Sequence, residues 1–459
     1  MLSRCLAPAL ALLVSGLHAA DISFSRQIAP LLTEKCVECH REAKSKGSYR
    51  LDTFERLAKA GDSEAPALTP GKPETSELYR LLVTDEEADR MPKKADPLTA
   101  EEIALVKQWI AQGGKFDGGD PRRPLSDLNA DRLHVTSPAK YPRALPVTAL
   151  AASPDGRQLA VSGYGEVLLW DTSSNARPSQ EFGPPAPRGK FTTQLLGRIQ
   201  HLPERIYALA WPAGSGSKTL VVAGGTSGRG GEAWLVDVDK RKPVKRLLTT
   251  PDSVLSLAVS TDGKLLAVGG TDNHVRLYNL PEGKLRWDVE GHADWVFALV
   301  FSPDQKLLAS ASRDRTARLF DTTKGEIVTT HTGHETAVLS ATFIDDGKQI
   351  ATGSADGQLR FWNHNGDSTK GTGTRPTREG ILQLSALAKR TFLSLADKGV
   401  VEMDVASKKV LNTYTTGSRV HVVALQADPP TLITGAHNGE VRLWDLGRNE
   451  ERGKFVASP

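Results

Sequence analysis

VFALVFSPDQKLLASASRDRTARLFD, residues 296–321, decides the architecture of most of this chain. It holds three short runs rich in Val, Leu, Ala and Phe, parted by SPDQ and SRDR. Alternating runs of this length with Ser, Pro and Asp between them predict strands joined by tight turns. The same grammar recurs in VTALAASPDGRQLAVSGYGEVLLWD (147–171), VLSLAVSTDGKLLAVGGTDNHVRLYN (254–279) and VLSATFIDDGKQIATGSADGQLRFWN (338–363). Weaker copies occupy 206–237, 381–404 and 422–445. Polar strands such as GKLRWDVEGH (283–292) and GEIVTTHTGH (325–334) fill the intervals. Four strands per unit, repeating about every 40 residues, predict an all-β propeller of seven blades over 145–459. A fourth strand for the last blade can come from HVTSPAKY (134–141) or from GKFVASP (453–459).

Ahead of the repeat the grammar changes. With 459 residues the chain is too long for one core, and residues 21–118 read as a small all-α domain. In SFSRQIAPLLTEKCVECH, Ile28, Leu31, Leu32 and Val37 lie on one helical face. In LTAEEIALVKQWIAQGG, Thr99 and Glu102 form a capping box, Ile103, Val106, Trp109 and Ile110 form the buried face, and Gly113 is the stop. The Pro-rich and charged stretch 119–144 reads as a linker. Charge is unremarkable, with a net +4, and supports no nucleic-acid partner.

The first 20 residues, MLSRCLAPALALLVSGLHAA, have a basic residue, a short apolar run and small residues at the end. That is the pattern of a secretory signal peptide. The expectation is export to the periplasm or another extracytoplasmic space, with no transmembrane segment once the signal is removed.

Two of the three cysteines stand in EKCVECHREAK, residues 34–44. Exported proteins use disulfides, but Cys36 and Cys39 could close only a loop too short to stabilise anything. Cys-x-x-Cys-His is instead the attachment pattern of c-type haem. The two thiols reach one edge of the macrocycle as thioethers, and His40 falls under the iron. Zinc would need about four ligands, and no further histidine occurs from 41 to 133. A thioredoxin-like pair would want a βαβ setting. The expectation is therefore one covalently bound haem c on Cys36 and Cys39, with His40 as the proximal iron ligand. For the distal position the mature chain offers two methionines, Met91 and Met403, and Met403 falls inside a propeller strand. Met91 is the candidate. The alternative leaves Met91 as packing, with the iron five-coordinate or held by Lys93 or Lys94.

Two resemblances add to this reading. Residues 22–117 resemble the cytochrome c domain of large planctomycete and verrucomicrobial proteins, through FSRQIAPLLTEKCVECH, LDTFERLAKAG, LTPGKPETSELYRLL and RMPKKADPLTAEEIALVKQWIAQGG. The family's haem cysteines, proximal histidine and distal methionine fall on Cys36, Cys39, His40 and Met91. Lys93 replaces a proline common after Met-Pro, and GDSEAP replaces a more glycine-rich stretch. From about Pro146 onward the chain resembles WD40 repeats, through Gly291-His292 with Asp314 and Phe320-Asp321, Gly333-His334 with Asp356 and Trp362, Trp170-Asp171 and Trp444-Asp445. That resemblance implies a hydrogen-bonded network of His, hydroxyl, Asp and Trp inside a blade, with a structural role. The first and sixth blades lack the aspartate, and Asn438 replaces it in the last.

Together these features predict one-electron transfer by the haem, with the propeller as a docking platform for redox partner proteins or a protein complex. No catalytic residues are assigned. Two alternatives stay open: a propeller-based oxidoreductase with the haem as electron relay, and a haem-based redox or gas sensor. The glycine-rich GGTSGRGG (224–231) has no helix behind it to bind phosphate and reads as a widened turn.

Overall fold

Helix α1 (Ala29–Lys35) follows a wide first turn, Phe24–Ile28, that Ser23 caps by accepting from the Arg26 N–H at 3.1 Å. The computed structural model describes residues 21–37, 39–41, 44–93, 97–125, 128, 134–173, 193–363, 371–395, 399–404 and 406–458. The chain divides into two compact units between residues 129 and 130. The signal-like residues 1–20 lie outside the described residues.

In the first unit, α2 (Phe54–Leu57), α3 (Glu77–Val83) and α4 (Ala100–Ala111) join α1 around one core. Helix α4 starts on the expected capping box: Thr99 accepts from the Glu102 N–H, and the Glu102 carboxylate accepts from the Thr99 N–H. It bears Val106, Trp109 and Ile110 inward and gives way to Gly113 at φ +101°, a conformation glycine adopts without strain. Trp109 is surrounded by Phe24, at 5.2 Å between ring centroids, and Phe54, at 6.5 Å, and Phe54 stacks on Phe116 at 4.5 Å. Its indole N–H donates to the Lys115 carbonyl at 3.0 Å, so the one polar atom of the ring is satisfied. Leu125 and Leu128 also belong to this core.

The second unit is a ring of seven four-stranded antiparallel sheets. They run over 150–199, 205–250, 254–290, 296–331, 338–374, 381–414 and 420–456, blades 1 to 7. Each blade uses four consecutive strands, the first innermost. The inner strand of blade 7 packs against that of blade 1, which closes the ring. The segment ending in GKFVAS supplies the outer strand of blade 7, Glu450–Val456. Phe455 lies 4.5 Å from Trp170 of blade 1, and the Leu145 N–H donates to Ser458 Oγ at 3.0 Å.

The repeated turn explains why the blades resemble one another. In blades 1, 3 and 4 a serine Oγ (Ser153, Ser260, Ser302) donates to an aspartate two residues on and accepts from the N–H five residues on. Gly156 and Gly263 take the left-handed position of that turn, and Gln305 takes it in blade 4 at φ +62°.

HVTSPAKY runs as a strap held by two fully buried carboxylates. His134 Nε2 meets Glu232 of blade 2 at 2.8 Å, and the Tyr141 hydroxyl donates to Glu166 of blade 1 at 2.5 Å. Arg198 and Arg246 approach the same two carboxylates at 3.2 Å each. Blade 6 repeats the theme with Glu402, which meets Arg390 at 2.9 Å and the Tyr414 hydroxyl at 2.6 Å. Each buried carboxylate thus has an arginine and an aromatic side chain beside it, which offsets part of the cost of burying its charge.

Blades 4 and 5 carry the histidine network in two incomplete forms. In blade 4, His292 bridges Asp314 at 2.8 Å and Ser310 at 2.6 Å, while Phe320 stands where the network would have tryptophan. Burial alone would raise the Asp314 carboxyl, but hydrogen bonds from His292 and Thr316 outweigh it and hold the group well below the usual carboxylate range. In blade 5, His334 and the Trp362 indole both meet Thr352 Oγ1 at 2.7 Å, while Asp356 accepts from Ser354 and Thr336 instead. Burial pushes His334 down to about 4, with the charge of Arg360 adding to it. The groups of blade 4 satisfy one another, whereas His334 of blade 5 is met only at Nε2, and both arrangements fit a structural role.

GGTSGRGG forms a hairpin between strands Thr219–Thr226 and Gly230–Asp237. A Cβ on Gly224 would meet the Arg205 carbonyl at 2.0 Å, so the glycine serves close backbone approach.

Candidate cofactor-attachment site

Helix α1 ends at Cys36. The N–H groups of Cys36 and Val37 both reach the Leu32 carbonyl, at 2.9 and 3.0 Å. Two three-residue bonds follow, Cys39 N–H to the Cys36 carbonyl and His40 N–H to the Val37 carbonyl, at 3.1 Å each. The motif is thus a tight turn beyond the helix, which brings Cys36, Cys39 and His40 within one turn of chain. Both thiols are free and half-buried. Burial, then the neighbouring Cys39, pushes the Cys36 thiol up to about 12, against a smaller opposing effect of Lys35. Cys36 packs against the helical core.

His40 is held at both ends. Its carbonyl accepts from the Leu51 N–H at 2.9 Å, and its Nδ1 lies 3.2 Å from the Tyr49 carbonyl. A carbonyl only accepts, so Nδ1 is the donor, and in the neutral ring Nε2 is then the nitrogen that carries a lone pair. Tyr49 is fixed in turn: its hydroxyl donates to the Leu57 carbonyl at 2.9 Å, and its ring meets His40 edge-on at 5.6 Å. The surrounding loop needs glycine at 61, where a Cβ would stand 2.7 Å from the Gly47 carbonyl and 3.0 Å from Tyr49 Cβ.

Met91 is anchored by its N–H to the Leu81 carbonyl at 2.8 Å, just beyond α3. It is half-buried and packs against the same hydrophobic cluster as Cys36, Val37 and Tyr49. Of the alternative ligands, Lys93 is exposed, and Lys94 lies outside the described residues. Met403 is buried in a strand of blade 6, Gly399–Asp404. Among the described residues no three His, Cys, Asp or Glu side chains converge as a metal cage. The donor set fits a haem: two thiols and a free imidazole nitrogen on one turn, and a thioether bordering the same apolar cluster.

A helical unit that offers this donor set, followed by a seven-bladed propeller, defines a class of cytochrome-like propeller fusions. Residues 36–95 match the family described as Planctomycete cytochrome C, and the match takes in Cys36, Cys39, His40 and Met91. The WD domain, G-beta repeat family matches at 140–171, 241–279, 283–321, 325–363 and 408–445. The chain is a fusion of a planctomycete-type cytochrome c domain with a WD40-repeat propeller. No curated protein matches it. The five matched segments end in blades 1, 3, 4, 5 and 7. The first three strands of blades 2 and 6, which hold buried Glu232 and Glu402, fall between them.

Tyr49 is the residue beside the candidate site that sequence reasoning did not single out. It acts through a backbone carbonyl, which every residue has, so no side-chain signal announces it.

Proposed function

We propose that this protein is an exported one-electron carrier that docks to partner proteins through its propeller. Cys36 and Cys39 would hold a single haem c covalently, and His40 and Met91 would supply ligands to its iron. The observation that carries this reading is the His40 ring, whose Nδ1–H is spent on the Tyr49 carbonyl and whose Nε2 is left to bind. When bound, the haem supplies an iron that exchanges one electron without proton chemistry, and a His/Met pair raises its potential.

The chain's own residues do the rest. The Tyr49 carbonyl fixes the tautomer and the plane of the imidazole. The turn at 36–40 sets the two thiols and the imidazole in order, and the apolar cluster beneath Cys36 and Met91 keeps water from that side. Export rests on the pattern at residues 1–20. No helix among the described residues is long and apolar enough to cross a membrane. The WD40 architecture supports a docking role for the propeller.

The test is the absorption spectrum of the exported protein, oxidised and reduced, beside Met91→Ala. A low-spin c-type spectrum that turns high-spin in the variant is the expected result. An unchanged spectrum in the variant removes Met91 from the iron, and no covalent haem at all overturns the reading of Cys36, Cys39 and His40.

A further inference from the structure

The propeller compares seven versions of one design, so its own repeat shows what the fold requires at each position. In blades 2 to 7 the inner strand skips one residue in pairing with its neighbour, after Ile206, Val254, Val296, Val338, Ile381 and Val420. Such a bulge re-aims one side chain. Here the skipped residues are Tyr207, Leu255, Phe297, Leu339, Leu382 and His421, and all six line a cavity of about 240 Å³ between the inner strands. Four are Leu or Phe, Tyr207 is aromatic, and blade 1 brings Thr148 to the same cavity. The fold therefore tolerates apolar, hydroxyl and aromatic groups at this place without asking for an imidazole, and His421 is the one histidine.

A second position repeats just beyond the next strand, where the N–H returns to the carbonyl two residues before the inner strand's bulge. Thr271, Arg313, Ala355 and His437 occupy it in blades 3, 4, 5 and 7. Again nothing in the fold asks for an imidazole. Yet both histidines fall in blade 7 and meet: His421 Nε2 and His437 Nδ1 are 3.0 Å apart, with ring centroids 5.3 Å apart. His421 is half-buried in the cavity wall, and His437 is exposed to solvent.

We infer that His421 and His437 form a two-imidazole binding site for a divalent copper ion at the edge of the propeller's central cavity. Two nitrogen ligands at about 2.0–2.1 Å from one ion, held 3.0 Å apart, subtend about 95° at it. That is the cis angle of the tetragonal geometry copper(II) favours. A tetrahedral zinc ion would want the nitrogens about 3.3–3.4 Å apart and more protein ligands. Among the described residues no third His, Cys, Asp or Glu completes a cage, so water takes the remaining positions and the ion exchanges. In the ion-free pair one ring donates its N–H to the other. Binding moves that proton to the donor ring's other nitrogen, so the pair releases none. Arg419, which accepts the His437 N–H on its carbonyl, directs its charge to Glu379 at 3.9 Å. The site belongs to the propeller alone, so its failure would leave the haem reading untouched.

The test is one equivalent of copper(II) added to the full-length protein at neutral pH, read by electron paramagnetic resonance. His421→Leu and His437→Thr, the residues that the sister blades use, are the variants. The expected wild-type signal is tetragonal, with hyperfine splitting from two nitrogens, and each variant loses it and binds at least about 10-fold more weakly against a competing chelator. In the wild type, copper should also protect His421 and His437 from acylation by diethylpyrocarbonate, which does not depend on how the variants fold. A signal that survives in both variants, or no protection of either histidine, overturns the inference.

Discussion

Asp314 and Asp356 occupy the same turn in adjacent blades, but their removal should cost very different amounts. The Asp314 carboxylate, 7% exposed, accepts from His292 Nδ1 at 2.8 Å, the Ala293 N–H at 3.1 Å, and the Thr316 N–H and hydroxyl at 2.9 and 2.6 Å. Asp314→Ala strips the buried His292 Nδ1 of its carboxylate and leaves Ser310 on Nε2, and breaking a buried pair from one side costs about 3–5 kcal/mol. Asp356 is 24% exposed and leaves the contact between His334 and Thr352 intact when removed. Its loss should cost about 1 kcal/mol, the net value of ordinary hydrogen bonds. The propeller unit runs from 130 to 459, so its unfolding entropy is about 0.7 kcal/mol/K at about 2.1 cal/mol/K per residue. The expected falls in Tm are therefore about 4–7 °C for Asp314→Ala and about 1–2 °C for Asp356→Ala. Thermal melts of the full chain followed by the far-ultraviolet strand signal, at matched haem content, measure both. Equal shifts, or a larger one at Asp356, would refute the argument that the histidine contact makes the difference.

Two further outcomes follow from the propeller. His334 titrates near 4 when folded, below the usual value of 6.5. The unfolded chain takes up the proton first, so this contribution is complete above about pH 6.5 and is lost as pH falls toward 4, by up to about 3 kcal/mol. His334→Gln should flatten that dependence, seen as a smaller change in urea midpoint between pH 7 and 4.5. Phe455→Ala removes the half-buried ring set 4.5 Å from Trp170, at a cost of about 2 kcal/mol. Amide exchange should then quicken in blades 1 and 7 while blade 4 keeps its protection.

The blades were legible because their information is local: strand alternation, a Ser-x-Asp turn and a fixed period all lie within about 40 residues. The strap was not. HVTSPAKY has the composition of a strand, and what holds it is a pair of buried carboxylates, Glu166 and Glu232, 25 and 98 residues further along the chain. Nothing in the sequence marks those two glutamates as buried. The turn residues of blades 4 and 5 suggested one shared network, whereas each blade builds only part of it, because Phe320 has no N–H to give and Asp356 is drawn to Ser354 and Thr336. In the helical unit, Cys36, Cys39 and His40 could be read as candidates because haem attachment demands sequence adjacency. Met91 emerged by elimination, from a chain with few methionines.

The joint between the last and first blades is built like the other six, since no strand crosses it. A ring of that kind has no privileged starting point. Residues 145 and 458 are hydrogen-bonded neighbours, so linking them and cutting the chain at another interblade turn would leave every ladder whole. The blades form a cycle whose numbering is a matter of where synthesis begins, and a circular permutant should close the same ring. The same construction sets a mechanical order. A load applied between those two residues falls on packed side chains and single hydrogen bonds, so the ring parts at its seam before any sheet unravels.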